Sequence, residues 1–268
     1  MINRSSSRCA MGAATLVLLL GALSSSPAGV NPAPVTNRDI PPYSYCGALN
    51  QAGAGSGCAV GMKAVLTAAH LVTWGPNGSF VISSPGSMQW CNRYNAGINN
   101  PACVPGRGLY LLGGYGSSRP FSRDVAVMTL YAHAADGRYA PIVRSGGVSA
   151  VRANAPKLAV GYPVNYNNLK IMQQSGPVTT SFREGYYAED TSYMYESSAL
   201  NTYGGYSGSP LFAWINNQWT VVAVGTYGGG DQGRDYGCRP LESDTGSLID
   251  QAIQISTPPS RKLIGNYD

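Results

Sequence analysis

Glycine and proline punctuate this chain from end to end, 34 and 18 of its 268 residues, and this limits what it can fold into. Long uninterrupted helices are excluded. What remains between the breaks is a series of short apolar runs with strand character: Ala64–Ala68, Phe80–Ser83, Leu109–Leu112, Val125–Leu130, Leu158–Val160, Pro177–Ser181, Pro210–Trp214 and Trp219–Thr226. Frequent short strands separated by turn residues predict an all-β barrel or sandwich. Only 12% of residues are charged while 18 are tyrosine, which also suits a β-rich protein better than a helical bundle. One helix is predicted near Ser247–Ile255, where Leu248, Ile249, Ala252, Ile253 and Ile255 partly follow helical spacing. A composition break at Ser145–Asn154 reads as a linker between two halves, and no long internal repeat is present.

The first 28 residues read as a secretion signal. Arg4 and Arg8 precede the apolar stretch Ala10–Leu23, and small residues up to Ala28 follow. That stretch is short and poorly flanked for a membrane span. Residues 29–42 (GVNPAPVTNRDIPP) read as an extended leader or short propeptide, with Arg38 as a processing site, or as a disordered terminus. The formal charge of +5 becomes +3 once Arg4 and Arg8 leave, and no Lys/Arg run occurs. Neither nucleic acid nor membrane is therefore expected as a partner after signal cleavage. Asn77-Gly78-Ser79 is a glycosylation sequon, meaningful only in a eukaryotic secretory pathway. Beyond Cys9, five cysteines remain. Cys46 and Cys58 flank a Gly/Ala turn, and Cys91 and Cys103 bracket a polar loop, so two local bridges are expected, with Cys238 free. The alternative, a metal site, lacks CxxC spacing or a nearby histidine.

Three segments carry the pattern needed for hydrolysis by a serine: a hydroxyl to attack, a base held in one tautomer, and donors for the oxyanion. Ser207 lies in Gly204-Gly205-Tyr206-Ser207-Gly208-Ser209-Pro210, where flanking glycines allow a tight turn that exposes the hydroxyl and aims the N–H groups of Gly205 and Ser207 at one point. Position 209 is serine, so this is not the G-x-S-x-G elbow of esterases. His70 follows an apolar run and two alanines, whereas the other histidine, His133, falls in a polar turn. Asp124 stands directly before the apolar run Val125–Leu130. Burying that carboxylate would cost several kcal/mol, on the order of 3 or more, without a hydrogen-bonded partner, and His70 would supply one. Each residue alone has an ordinary reading, as a surface loop, a structural histidine or a turn aspartate. The order His, Asp, Ser, in a β-rich exported chain, is far more specific.

These residues resemble the chymotrypsin-like serine peptidases: TAAH (67–70), DVAVM (124–128) and GYSGSP (205–210) look like that family's three motifs. Within it, the chain is most similar to the bacterial glutamyl endopeptidase branch, through SGCAVGMKAVLTAAHLV (56–72), AVGYP (159–163), MQQSGPV (172–178), TYGGYSGSP (202–210) and VGTYGG (224–229). The resemblance runs from about Tyr45 to the final helix. It implies two six-stranded antiparallel β-barrels, about 43–145 and 155–242, in a domain spanning 43–257 with a C-terminal helix and a tail at 258–268. It places the active site between the barrels and implies endopeptidase activity through an acyl-enzyme on Ser207. His70 would be the base, Asp124 its orienting group, and Gly205 and Ser207 the oxyanion donors. Asn201 and Thr202 would form the base of the specificity pocket, and Thr226, Tyr227 and Gly228 would line the substrate strand.

Tyr206 stands where trypsin-type enzymes carry the aspartate of their activation switch, and Asn201 argues against Lys/Arg preference. Thr226 replaces the pocket histidine of the glutamyl branch, so the pocket does not support glutamate specificity; Arg234 and Arg239 are the candidate substitutes, or plain loop residues. The mechanism requires no metal and no organic cofactor, and a protein or peptide substrate and a monomeric, secreted enzyme are expected. The competing readings are a catalytically silent homologue acting as a secreted binding or toxin-like protein, and a peptidase of narrow specificity.

Overall fold

Short strands that each bury one face have to find partners far away in sequence, and here they form two sheets. The computed structural model describes residues 29–50, 55–73, 83–95, 103–116, 118, 120–163, 171–187, 192–227 and 234–256. The expected signal, the tail, and residues 80–82 of one expected strand lie outside them. After β1 (Ala33–Pro34), which belongs to the second sheet, come β2 (Cys46–Leu49), β3 (Gly55–Gly61), β4 (Ala64–Thr67), β5 (Gln89–Asn92), β6 (Val104–Leu111) and β7 (Ala126–Leu130). These six close into a barrel in the order β2-β3-β4-β7-β6-β5.

Strand β7 shows why the barrel sits where it does. All five of its residues are buried. Alternate side chains point to opposite faces: Ala126, Met128 and Leu130 pack into a cluster with Trp90, Val65, Val72 and Met88. Val127, and Val125 just before the strand, join a second cluster with Leu66, Phe212, Val224, Ile249 and Ala252. One strand thus serves both the barrel interior and the interface with the second sheet.

A short helix, α1 (Gly147–Arg152), then leads into β8 (Ala155–Gly161), β9 (Gln173–Thr180), β10 (Arg183–Tyr187), β11 (Ser192–Thr202), β12 (Pro210–Ile215), β13 (Gln218–Tyr227) and β14 (Arg234–Pro240), and α2 (Ser243–Ser256) ends the described chain. The second sheet runs β1-β9-β8-β12-β13-β14-β11-β10. It therefore has its six expected strands plus one at each edge. The N-terminal segment accounts for one of these. Ala33 and Pro34 pair with Gln174 and Gln173 of β9. A few residues earlier, the Val30 N–H donates to the Ala199 carbonyl (2.9 Å) and the Asn201 N–H to the Val30 carbonyl (3.0 Å). The segment thus joins β9 to β11. The Ser175 hydroxyl, within reach of the carbonyls of Val30 (3.1 Å) and Asn201 (2.6 Å), ties all three together.

The expected linker at 145–154 is instead mostly helical. The left-handed Gly146 has no side chain to cap α1. The Glu242 carboxylate does so from a distance, accepting from the N–H groups of Gly146 (3.1 Å) and Val148 (2.7 Å). Helix α2 starts four residues before its expected first residue, because its first turn, Ser243-Asp244-Thr245-Gly246, is polar and carries no apolar periodicity.

Of the two expected disulfides, Cys91–Cys103 is present and Cys46–Cys58 is not. Cys46 and Cys58 are direct cross-strand partners on β2 and β3. Their thiols lie within hydrogen-bond reach of each other but are not joined. Both remain buried thiols, with the Cys46 thiol directed to the Pro42 carbonyl (3.5 Å) and the Cys58 thiol to that of Ala59 (3.7 Å). Burial, reinforced by the neighbouring Cys58, pushes the Cys46 thiol well above its ordinary pKa, which keeps it unreactive. Cys238 is buried and free, and burial raises its pKa as well. A chain starting at Gly29, denatured without reductant, will titrate three thiols with Ellman's reagent, and the native protein essentially none; a count of one would restore the missing bridge.

Candidate active site

Strand β4 is followed by two small buried residues, Ala68 and Ala69, which let the chain turn tightly into a 3₁₀ segment, Ala69–Val72. His70 sits in that turn. On the opposite side, another 3₁₀ turn, Phe121–Arg123, delivers Asp124 just before β7. The Asp124 carboxylate accepts twice from the same residue. Oδ1 takes the backbone N–H of His70 (2.8 Å), and Oδ2 pairs with the ring Nδ1 (2.7 Å). The carboxylate is 2% exposed and the imidazole 25%. With Nδ1 occupied as a donor, the ring's Nε2 is the nitrogen able to accept a proton. The carboxylate thus fixes ring orientation, tautomer and main chain together.

Ser207 lies in the loop between β11 and β12. Gly205 and Gly208 both adopt positive φ there, 98° and 79°. Turn bonds from the Tyr206 N–H to the Tyr203 carbonyl (3.1 Å) and from the Ser209 N–H to the Tyr206 carbonyl (2.8 Å) shape the loop, and the Gly208 N–H anchors it to the Gly225 carbonyl (2.7 Å). Among the described residues, the N–H groups of Gly205 and Ser207 have no hydrogen-bond acceptor. The loop presses directly onto the first barrel. A Cβ on Gly208 would lie 2.2 Å from the Ser56 carbonyl oxygen and 2.3 Å from Thr67 Oγ1, and one on Gly55 would meet both Leu71 (2.5 Å) and the Ser207 carbonyl (2.9 Å). Thr67 and Leu71 bracket His70 in sequence, so Ser207 and His70 belong to segments packed against each other.

The expected pocket residues are more dispersed in their partners. The Asn201 amide is engaged by the N-terminal segment, donating to the Gly29 carbonyl (3.0 Å) and Asn31 Oδ1 (2.8 Å). Thr202 is fully buried at the end of β11. Thr226 is buried too, its hydroxyl turned toward the Met194 sulfur (3.7 Å). Tyr227 pairs with Gly237 through β13 and β14. Gly228 and the side chain of Arg234 lie outside the described residues.

Arg239 is not a pocket cation. It reaches across to the first barrel, donating from Nε to the Ser122 carbonyl (2.6 Å) and from Nη2 to both carboxylate oxygens of Asp244 (3.3 and 3.2 Å). Asp244, in the first turn of α2, also pairs with Arg123 (3.0 Å). This arrangement braces, from the second sheet, the turn that presents Asp124. Sequence reasoning missed it, as it missed Ser56, whose flanking glycines in Gly55-Ser56-Gly57 were a signal of close backbone approach within a strand. Arg239→Ala will lower unfolding free energy by about 1.5–3 kcal/mol, the range for hydrogen bonds to a charged group; urea denaturation will measure it. Arg239→Lys will recover only part, because an ammonium cannot reproduce the fork.

Comparison with known proteins bears on the family and the fold. The family model described as trypsin-like peptidase domain matches residues 55–224. No curated protein matches the chain in sequence. Among solved structures, a Glu endopeptidase in complex with MPD superposes with a TM-score of 0.63 at 18% identity, covering 83% of this chain and 96% of that one. Protease Anisep from Arthrobacter nicotinovorans gives 0.60 at 16%, covering 79% and 96%. The secreted serine protease VesC from Vibrio cholerae gives 0.59 at 20%, covering 82% of this chain and 48% of that one. At such identities the likeness is one of fold.

Proposed function

The chain belongs to the trypsin-like peptidase family, and from that premise we propose that it is a secreted serine endopeptidase acting through Ser207, His70 and Asp124. The observation that carries this reading is the doubly bonded Asp124–His70 pair, with the Ser207 loop packed against the segments on either side of His70. A buried carboxylate gripping both the ring and the main chain of one histidine is more than a turn aspartate needs, and it is what a general base requires.

Ser207 Oγ attacks the scissile carbonyl as His70 Nε2 takes its proton. Asp124 stabilises the imidazolium that results. The N–H groups of Gly205 and Ser207 hold the oxyanion. His70 then protonates the departing amine, and water, activated by the same ring, hydrolyses the acyl-enzyme. Tyr206, buried beside Gly161, occupies the place of an activation aspartate, so the enzyme is competent without that switch. Residues 29–42 stay with the mature domain, a reading supported by the bonds of residues 29–35 to the second sheet. Residues 1–28 direct export; the disulfide suits an oxidising compartment, and no described helix is long and apolar enough to cross a membrane.

Ser207→Ala will abolish both peptide hydrolysis and labelling by a fluorophosphonate probe, while the wild-type chain labels at Ser207; a variant that still labels would sink the assignment. The pocket positions Asn201, Thr202 and Thr226 are uncharged, with Asn201 and Thr226 turned to protein partners. A peptide-library cleavage profile will therefore favour small or apolar residues before the cut, and a dominant Glu, Lys or Arg preference would refute the neutral pocket.

A further inference from the structure

We propose that Ser56, on β3 of the first barrel, is a positioning residue for the oxyanion-binding loop. The inference rests on the reading of Ser207 as nucleophile and goes beyond it. Every polar group of Ser56 is hydrogen-bonded to a residue in or beside the site, two of them to the loop that carries Ser207. Its N–H donates to the Ser207 carbonyl (2.8 Å). Its carbonyl accepts from the Thr67 hydroxyl (2.8 Å), three residues before His70. Its own hydroxyl donates to the Gly205 carbonyl (2.7 Å) and accepts from the Tyr162 N–H (2.9 Å) just beyond β8. The residue is 1% exposed.

A serine hydroxyl has a single hydrogen to give, and here it goes to Gly205. Gly205 is at φ 98°, where no side chain restrains the backbone. Left alone, the peptide units on either side of such a residue have wide rotational freedom. With the carbonyls of Gly205 and Ser207 both held by Ser56, the short span between them is pinned at its two ends. The Ser207 N–H lies within that span and the Gly205 N–H directly before it, on the residue whose carbonyl Ser56 holds, so the bonds to Ser56 limit the direction of both before a substrate arrives. Donors fixed in advance at the site of developing charge stabilise the transition state more than the ground state. The space beside the hydroxyl is also full: a Cβ on Gly161 would lie 3.1 Å from Ser56 Oγ and 2.8 Å from the Tyr206 ring. The hydroxyl is thereby confined to one arrangement.

The test compares wild-type, Ser56→Ala and Ser56→Cys, the last exchanging the hydroxyl for a somewhat larger thiol that is only a weak donor. Ser56→Ala is expected to label with the fluorophosphonate slowly but completely. Its kcat should fall roughly 10–100-fold, below the 10²–10³ of deleting an oxyanion donor outright, with KM within twofold. Affinity for a peptide aldehyde, which forms a tetrahedral adduct, should fall by the same factor, while the pH midpoint of kcat stays put because His70 and Asp124 are untouched. Ser56→Cys should fall between, and it decides the matter if the alanine variant does not fold. Wild-type kcat in whichever variant folds, a rise in KM at constant kcat, or a shifted pH midpoint would overturn the proposal. A wild-type chain that does not label at Ser207 overturns the triad reading and this inference with it; wild-type labelling with an unaltered variant overturns this inference alone.

Discussion

Removing a carboxylate from water costs several kcal/mol unless hydrogen bonds replace the lost hydration. At Asp124 the replacement comes from one residue, through a main-chain N–H and a ring nitrogen. That arrangement makes strong demands on everything around it. The chain before His70 has to turn within its alanines, so that the amide and ring face the same carboxylate. The turn before Asp124 has to be held still, and the Arg239–Asp244–Arg123 group does this from the second sheet and the last helix. The first barrel supplies both members of the pair, yet the second sheet keeps them in register.

The contact between the two sheets is correspondingly close. Gly208 lies so near Ser56 and Thr67 that no side chain fits between them. Ser56 answers from the other side with four hydrogen bonds. Apolar packing alone, through Val127, Phe212 and Val224, would hold the sheets together, but it is non-directional. The polar bonds at the edge of that interface fix the relative placement to within the tolerance of a hydrogen bond.

Much of this could be read from the sequence because the chemistry leaves local marks: alanines before His70, an aspartate at the edge of an apolar run, glycines around Ser207. The β-rich class and the C-terminal helix were legible for the same reason, as short-range patterns. What escaped depended on which distant residue lies opposite. Arg239 looked like a candidate pocket cation until its partner, Ser122, 117 positions away, was located. The segment 145–154 looked like a linker because the residue that caps its helix, Glu242, lies about a hundred positions further on. Cys46 and Cys58 are cross-strand partners, yet the bridge expected between them is absent and both are free thiols. Whether neighbouring thiols are joined cannot be read from their positions in the chain.

The N-terminal strip that lies between β9 and β11 also bears on how the molecule comes into being. Its anchors are Ser175 and Asn201, 145 and 172 positions from the residues they hold. During synthesis the strip emerges early, but its seat does not exist until some two-thirds of the chain has followed. Contacts of such long range are slow to form, since the chain entropy lost in closing them is offset only once the intervening structure is in place. The order of assembly is therefore the reverse of the order of translation at this point, and the earliest-made part of the fold is among the last to be secured.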